Sequence, residues 1–282
     1  MQSDTLIFAP VFNERGTVGA LADALLALPL RFDLLFVDDS STDGTTEYLL
    51  SLAAADSRVH VIVRPGKLGV GSAHKLGWLY ARIHGYSRIA TLDADLSHDP
   101  HDVPRVLAAL DAGADFAIGS RFCSGGRTDY RGWRRFLSGA GNRVASVVLR
   151  LPVTEHTTAL RAARLDRVPP GLVESVNGNG YSFFMICITY LARLGLGIVE
   201  VPIHFRDRRR GSSKMPKTAV LEAVQSLFRL ALDRSRIEPL GLPSESERQC
   251  PVCGAPYRVF MSRQELVCLK CFGRECKESI WG

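Results

Sequence analysis

Residues 34–45 read LLFVDDSSTDGT: an apolar run, two adjacent carboxylates, then a cluster of Ser, Thr, Asp and Gly. A short apolar run bounded by turn residues is the pattern of a strand buried on both faces. The polar cluster suits a turn and a helix start, because Asp, Ser and Thr side chains accept backbone N–H bonds there. Asp43 or Thr45 fills that role, which leaves Asp38 and Asp39 as acceptors for a nucleobase or ribose. Working outward, similar apolar runs stand at 6–9, 59–63, 89–92 and 116–118. Two more polar clusters, PVFNE at 10–14 and DAD at 93–95, again follow a strand pattern directly. Helical patterns lie between: Val18, Leu21, Leu25 and Leu28 share one face, and Asp102 suits the N-cap of a helix over 103–111. Strands alternating with helices mean βαβ units, hence an α/β fold with a mostly parallel sheet and helices on both faces. Ligands of such sheets bind at the carboxyl ends of the strands, so the three polar clusters are expected to converge on one crevice.

The second half is less regular. A helix is expected over 133–149, a strand over 198–203, and an amphipathic helix carrying the stripe Val220, Leu221, Val224, Leu227, Phe228 and Ala231. Residues 238–249 turn to Pro, Gly, Ser and Glu without apolar period and read as a linker. That linker divides a main domain over 1–237 from a small module over 250–282. In the module, Cys250, Cys253, Cys268 and Cys271 form C-x2-C-x14-C-x2-C, one residue short of the usual distance between pairs and otherwise the pattern of a tetrahedral zinc site. Four thiolates close the coordination sphere, so this Zn²⁺ is expected to be structural, holding about 40 residues that cannot build a sufficient core unaided. The module resembles a zinc ribbon with hairpin strands over 257–261 and 265–267.

The 282 residues are 46% hydrophobic and 23% charged, which excludes a disordered chain. The most apolar stretch, 183–192, is closed by Arg193 and falls short of the roughly 20 residues a helical span needs. No cationic start followed by an apolar run opens the chain, so a cytoplasmic address is expected. Seven cysteines, an odd number, argue against a secreted disulfide framework. The net charge of +6 is concentrated: 127–150 holds six Arg against one Asp, and 204–217 six Arg or Lys against one Asp. Such patches point to discrete anionic ligands, the plain alternative being two solvated surfaces.

Asp93 and Asp95 stand two residues apart just past a strand, where close like charges cost free energy unless a cation neutralises them. Mg²⁺ or Mn²⁺ is the natural cation, since such sites combine one or two carboxylates with substrate phosphates. DADLSH at 93–98 is accompanied, in order, by PVFNE at 10–14, the run over 38–45, RPGKLG at 64–69 and GSRF at 119–122. Trp133, Ser138, FRDR at 205–208, Gly211, Ser213 and Lys214 complete the series. With these motifs the chain resembles the family-2 glycosyltransferases, and among them the polyprenyl-phosphate (dolichol-phosphate) mannosyltransferases, over residues 4–216.

The resemblance implies a GT-A fold, the Rossmann-like architecture of nucleotide-diphospho-sugar transferases. It implies that Pro10, Glu14 and Asp39 contact the base and ribose of a nucleotide-sugar donor, with Lys67 nearby. Asp93 and Asp95 would hold the divalent metal, and Arg121, Arg134 and Ser138 the phosphate of a lipid acceptor. Arg208 and Lys214 would close over the donor phosphates and, with Asp95, form the catalytic set. The implied activity is metal-dependent inverting transfer of a sugar, mannose-like favoured, from a nucleotide-sugar, GDP-sugar favoured. The implied acceptor bears a phosphate, as polyprenyl phosphate does. Two elements depart from the family pattern: Asp-x-Thr-Ser-Gly-Phe-Arg stands as EHTTALR at 155–161, and Gly-Tyr-x-Phe-Gln-x-Glu as GYSFFMI at 180–186.

Breaking the sugar–phosphate bond puts negative charge on the leaving diphosphate, which a metal on Asp95 with Arg208 and Lys214 would stabilise. A phosphate acceptor, with its second pKa at about 6, is ionised near neutral pH and needs no general base. A soluble hydroxyl acceptor would need one, with His98, Asp99 and Glu155 as candidates. The competing readings are an inactive sugar-nucleotide binder and a nucleic-acid-binding zinc-ribbon protein; three acidic clusters on one crevice count against the latter. Residues 131–150 interleave Trp133, Phe136, Val144, Val147 and Val148 with Arg. That pattern suits either a peripheral contact with lipid headgroups or a helix packed on the sheet with its Arg exposed.

Overall fold

The computed structural model describes residues 3–174, 176, 178, 180, 182–207, 217–232, 259–262 and 265–267. Its elements run β1 (Thr5–Val11), α1 (Val18–Leu26), β2 (Asp33–Asp38), α2 (Thr45–Ala55), β3 (Val59–Val63), α3 (Val70–Ile83) and β4 (Arg88–Thr91). A 3-10 turn (Pro100–Asp102) leads into α4 (Val103–Asp111), β5 (Phe116–Ser120), β6 (Arg127–Thr128), α5 (Gly132–Leu149) and β7 (Arg161–Arg164). There follow α6 (Ser182–Arg193), β8 (Ile198–Pro202), β9 (His204–Phe205), α7 (Lys217–Leu232), β10 (Val259–Ser262) and β11 (Glu265–Val267).

The main sheet has seven strands in the order β3-β2-β1-β4-β7-β5-β8. All pairings are parallel except those of β7, which runs antiparallel to both β4 and β5. Side chains alternate along each strand between two apolar layers, as the period of two requires. Leu6 and Phe8 of β1 and Leu35 and Val37 of β2 face the layer built with α3 and α6. Ile7, Ala9, Leu34 and Phe36 face the layer built with α1 and α4. Helix α3 sits close on β1 because Gly77 lacks a side chain: a Cβ there would come 2.8 Å from Phe8 Cδ2.

Two local expectations, the Asp102 cap and the α7 stripe, need correction, and two further features go beyond the sequence. Asp102 does not cap α4 with its side chain; its carboxylate accepts from Arg105 Nη1 at 2.5 Å. The chain enters one turn earlier, and Asp99 caps that turn by accepting from the His101 N–H. The central strand β7 was not legible, because Arg-Ala-Ala-Arg carries no β preference and is placed by its two neighbours. The apolar stripe of α7 is rotated: Leu230 is buried and Leu227 packs on the core, whereas Val224 and Phe228 are exposed. The small residues Ala223 and Ser226 let the opposite side of that helix approach the protein. Helix α5 buries only Ala145 and Leu149 of its apolar side chains; Trp133, Phe136, Leu137, Val144 and Val147 face outward, so of the two arrangements its sequence admits they do not pack on the sheet.

The residues departing from the family pattern over 180–186 are core residues. Phe184 and Ile186 are buried, and the Phe184 ring meets His74 of α3 edge-on at 4.8 Å, with Phe8 on the other side at 5.1 Å. In this apolar box burial pushes the His74 imidazole down to about 3. The unfolded chain therefore binds a proton at His74 that the native protein does not, starting below the ordinary histidine pKa of about 6.5. Stability is predicted to fall as pH drops from 6.5 towards 4.5, with His74 supplying up to about 1.4 kcal/mol per pH unit. Replacing His74→Phe should make that slope shallower in urea titrations at pH 6.5, 5.5 and 4.5; an unchanged slope would show that His74 is not held neutral.

Candidate active site

Parallel pairing brings the ends of β1, β2, β3, β4, β5 and β8 to one edge of the sheet, and antiparallel β7 starts there. The polar clusters at 10–14, 38–43 and 93–95 accordingly lie side by side, as their position after strands requires. The Asp39 N–H donates to Val11 O at 3.0 Å and the Leu92 N–H to Phe8 O at 3.1 Å, so both neighbours are zipped to β1 up to the edge. Pro10 ends the ladder with β4: it has no N–H to donate to Leu92 O, and the chain is released into Asp93-Ala94-Asp95.

Asp38 and Asp39 have different roles. Asp38 is fully buried and accepts from the Ser41 N–H, Ser41 Oγ and Thr46 Oγ1, so it shapes its own turn and is not open to a ligand. Gly44 is the N-cap of α2 and no side chain caps it; Asp43, one residue earlier, accepts from Thr45 N, Thr45 Oγ1 and the Arg15 N–H and shapes the turn into the helix. Asp39 is buried in an ion pair with the fully buried Arg64 and also accepts from the Leu68 and Gly69 N–H groups at 3.2 Å. Burial pushes the Asp39 carboxyl up, while the Arg64 guanidinium and the two amides pull it back towards the ionised form. Arg64 further donates to Ser72 Oγ and Gly69 O, so one guanidinium fastens the whole 65–69 loop to Asp39. The sequence reading had Arg64 inside a motif but without a role; a lone Arg behind a strand carries no signal that it will be buried. Lys67 of this loop lies over the Phe12 ring at 4.4 Å, and the Glu14 N–H donates to Thr45 Oγ1.

Asp95 is buried and Asp93 half-buried. The Ser97 N–H donates to Asp95 Oδ1 at 3.0 Å, a contact reached because Leu96 takes the left-handed conformation (φ 61°). Beside it the Ser97 hydroxyl is buried with no hydrogen-bond partner. Two carboxylates and an unsatisfied hydroxyl are hard-oxygen groups, the chemistry that Mg²⁺ or Mn²⁺ would require of residues holding it together with phosphates and water. Among the described residues no group of three His, Cys, Asp or Glu side chains forms a complete metal site. The Asp93 N–H donates to His98 Nδ1 at 3.4 Å, so His98 Nε2 carries the proton and donates to Thr158 Oγ1 at 3.0 Å. Burial pushes the His98 imidazole down to about 4, with Asp95 and Glu155 pulling against it and Arg121 adding to it.

Arg121 is buried and forked onto Glu155, donating from Nε at 2.7 Å and from Nη2 at 2.8 Å; Nη2 also donates to Thr157 Oγ1. Although burial opposes its charge, Glu155 is held below the usual carboxylate range by Arg121 and Thr157. The guanidinium also lies against the Phe205 ring, which meets Tyr130, which in turn lies under Arg134. Arg121 and Arg134 thus flank one pair of aromatic rings. Arg134 is exposed and lies 3.9 Å from Asp207, and Ser138 is half-buried one turn further along α5. Arg206, absent from the expected site, donates to Asp99 at 2.7 Å and to Ser97 O through its N–H, joining the chain after β9 to the loop after β4. Arg208, Lys214 and the cysteines Cys250, Cys253, Cys268 and Cys271 lie outside the described residues. Between the two cysteine pairs, β10 and β11 form the expected antiparallel hairpin.

Residues 6–166 match the family described as glycosyl transferase family 2. The chain belongs to that family. This glycosyltransferase is 37% identical over 239 residues to the polyprenol monophosphomannose synthase of Mycolicibacterium smegmatis, covering 82% of this chain and 90% of the relative. It is 38% identical over 232 residues to the undecaprenyl-phosphate mannosyltransferase of Micrococcus luteus, covering 80% and 93%. In fold it is similar to glucosyl-3-phosphoglycerate synthase from Mycobacterium tuberculosis, solved with Mn²⁺, UDP and glucosyl-3-phosphoglycerate. That likeness has a TM-score of 0.59 at 20% identity and covers 82% of this chain and 80% of that one, which establishes the GT-A-like architecture.

The Arg64–Asp39 pair gives a direct test. Arg64→Met leaves a buried carboxylate without its cation, which should lower unfolding free energy by about 3–5 kcal/mol. Urea denaturation of Arg64→Met, and of the double variant Arg64→Met/Asp39→Leu, should show the second change recovering more than half of that loss; no recovery would mean the pair is not the fastening.

Proposed function

We propose that this glycosyltransferase moves a sugar, mannose favoured, from a nucleotide-sugar held with Mg²⁺ or Mn²⁺ onto the phosphate of a polyprenyl-type lipid. GDP-sugar is the favoured donor. The observation that carries the acceptor class is the state of the three groups a hydroxyl acceptor would call on. His98 is fully buried, Glu155 is fully buried and forked by Arg121, and Asp99 is engaged by Arg206 and His101. A phosphate acceptor does without a base, because its second pKa of about 6 leaves it charged near neutral pH. Both relatives are named for transfer of mannose to a lipid phosphate.

In this reading Asp39, Pro10 and Glu14 take the nucleoside, with Lys67 close by. Asp93 and Asp95, with the Ser97 hydroxyl beside them, hold the divalent cation, which when bound neutralises the diphosphate. Arg121, whose Nη1 has no hydrogen-bond partner among the described residues, offers that group to the acceptor phosphate, its orientation set by Glu155 and Thr157, while Arg134 and Ser138 stand on the outer side. An acceptor phosphate oxygen forms the new bond to the sugar C1 as the bond from C1 to the leaving diphosphate breaks, inverting the anomeric centre. Arg208 and Lys214 balance the charge developing on that diphosphate.

No helix among the described residues is long and apolar enough to cross a membrane. The exposed faces of α5 and α7 instead support a peripheral contact. Trp133, Phe136 and Val147 of α5 and Phe228 and Leu232 of α7 are each at least 60% exposed. Exposed Arg131, Arg134, Arg135, Arg143 and Arg150 accompany them, with no acidic residue within α5. Apolar groups interleaved with cations suit an anionic headgroup layer, whereas a symmetric contact with a second copy would set Arg against Arg. The C-terminal cysteines are assigned to a structural Zn²⁺ in a module separated by the 238–249 linker.

Vesicles carrying polyprenyl phosphate, mixed with Mn²⁺ and GDP- or UDP-sugars in turn, should yield a sugar phospholipid with GDP-mannose. Asp95→Ala should lower kcat/KM by about 10²-fold or more with the fold intact. Full turnover by Asp95→Ala, or transfer confined to soluble hydroxyl acceptors, would overturn the reading. Elemental analysis should find about one Zn²⁺ per chain, lost in Cys253→Ser; a metal-free protein would remove the zinc assignment.

A further inference from the structure

Helix α5 is fastened to the protein by polar groups as well as by Ala145 and Leu149 in the core. Of its 18 residues only Asn142, Ala145 and Leu149 are buried. The Asn142 carboxamide accepts from the His156 N–H through Oδ1 at 2.7 Å and donates through Nδ2 to Ser138 O at 2.9 Å. One turn on, the Ser146 hydroxyl donates to Val153 O at 2.6 Å, and its oxygen stands 3.0 Å from His156 Nε2. A hydroxyl has one proton, and the carbonyls of Val153 and Asn142, the latter at 2.9 Å, can only accept it, so His156 Nε2 donates to Ser146. His156 is therefore gripped twice from α5, once through its backbone and once through its ring.

The segment it belongs to is a junction. Glu155 and Thr157 hold Arg121, Thr158 accepts from His98 of the loop after β4, and the carbonyls of His156 and Thr158 accept from the buried Arg161. Glu155 and Thr157 thus share Arg121, Thr158 reaches His98, and the side chain between them that reaches α5 is that of His156. The helix bearing Arg134 and Ser138 and the outward apolar side chains meets the Arg121–Glu155 pair at this point.

We infer that Asn142 and Ser146 are positioning residues that act through His156: they set the 155–158 segment, and with it the Arg121 fork, relative to the acceptor-facing helix. The inference rests on the reading that Arg121 and α5 serve a lipid-phosphate acceptor, and its first test does not require that reading. Amide hydrogen exchange of full-length Asn142→Leu should be faster by about tenfold or more across 153–158, with β1 and β2 unchanged. Unchanged protection over 153–158 would overturn the latch. In steady-state assays with vesicles carrying polyprenyl phosphate, Asn142→Leu and Ser146→Ala should raise the acceptor KM by about tenfold with the donor KM within about twofold. Ser146→Thr, which keeps the hydroxyl, should restore the wild-type acceptor KM. Equal rises in both KM values would mean a general structural role and overturn the positioning assignment. Should the wild type transfer to no lipid phosphate, the proposed function fails, and the exchange measurement alone decides the latch.

Discussion

Parallel pairing of β1 with β2 on one side and β4 on the other is the constraint from which the site follows. Neighbouring strands lie about 4.8 Å apart, so the chain positions that carry Asp39 and Asp93 begin within roughly 10 Å of one another. They are more than fifty residues apart in sequence. No side-chain interaction is needed to bring them together; the ladder does so through backbone bonds that are indifferent to the residues carrying them. What the side chains decide is where each ladder stops. Pro10, lacking an amide proton, stops the pairing of β1 with β4 one residue before Asp93.

Beyond the ladder the loops would be free to spread, and buried charge pairs prevent it. Arg64–Asp39 joins the loops after β3 and β2, and Arg121–Glu155 joins the loop after β5 to the one before β7. A buried ion pair is weak evidence of net stability, because desolvation offsets most of the attraction. Losing one partner is costly all the same, so each pair enforces a single loop arrangement. The result is an edge whose hydrogen bonds are made in advance of any ligand, the condition for electrostatic stabilisation without reorganisation at the moment of reaction. The substitutions at 184 and 186 do not disturb this edge, because Phe184 and Ile186 pack in the core against α3.

The strands β1 to β5, the helix over 103–111 and the shared edge were all legible, since alternating β and helical periods with polar clusters behind the strands admit few arrangements. Asp93, Asp95 and Asp39 could be picked out by type and place. The division of labour between Asp38 and Asp39 could not: adjacent strand-end residues point to opposite sides, and which side faces the ligand depends on register. Arg64 and Asn142 were missed because an Arg or Asn is ordinarily a surface residue. Only packing by distant segments buries these particular ones.

By itself the sequence determined the fold class, the family and the residue types that gather at the strand ends, because these rest on local periodicity and on motif order. Tertiary structure alone decided that β7 inserts antiparallel, that α5 and α7 turn apolar side chains outward, and that His98 and Glu155 are locked inside. Each of those depends on contacts between segments far apart in the chain, where the free energy of burying a neighbour's surface outweighs any preference written into the residues themselves.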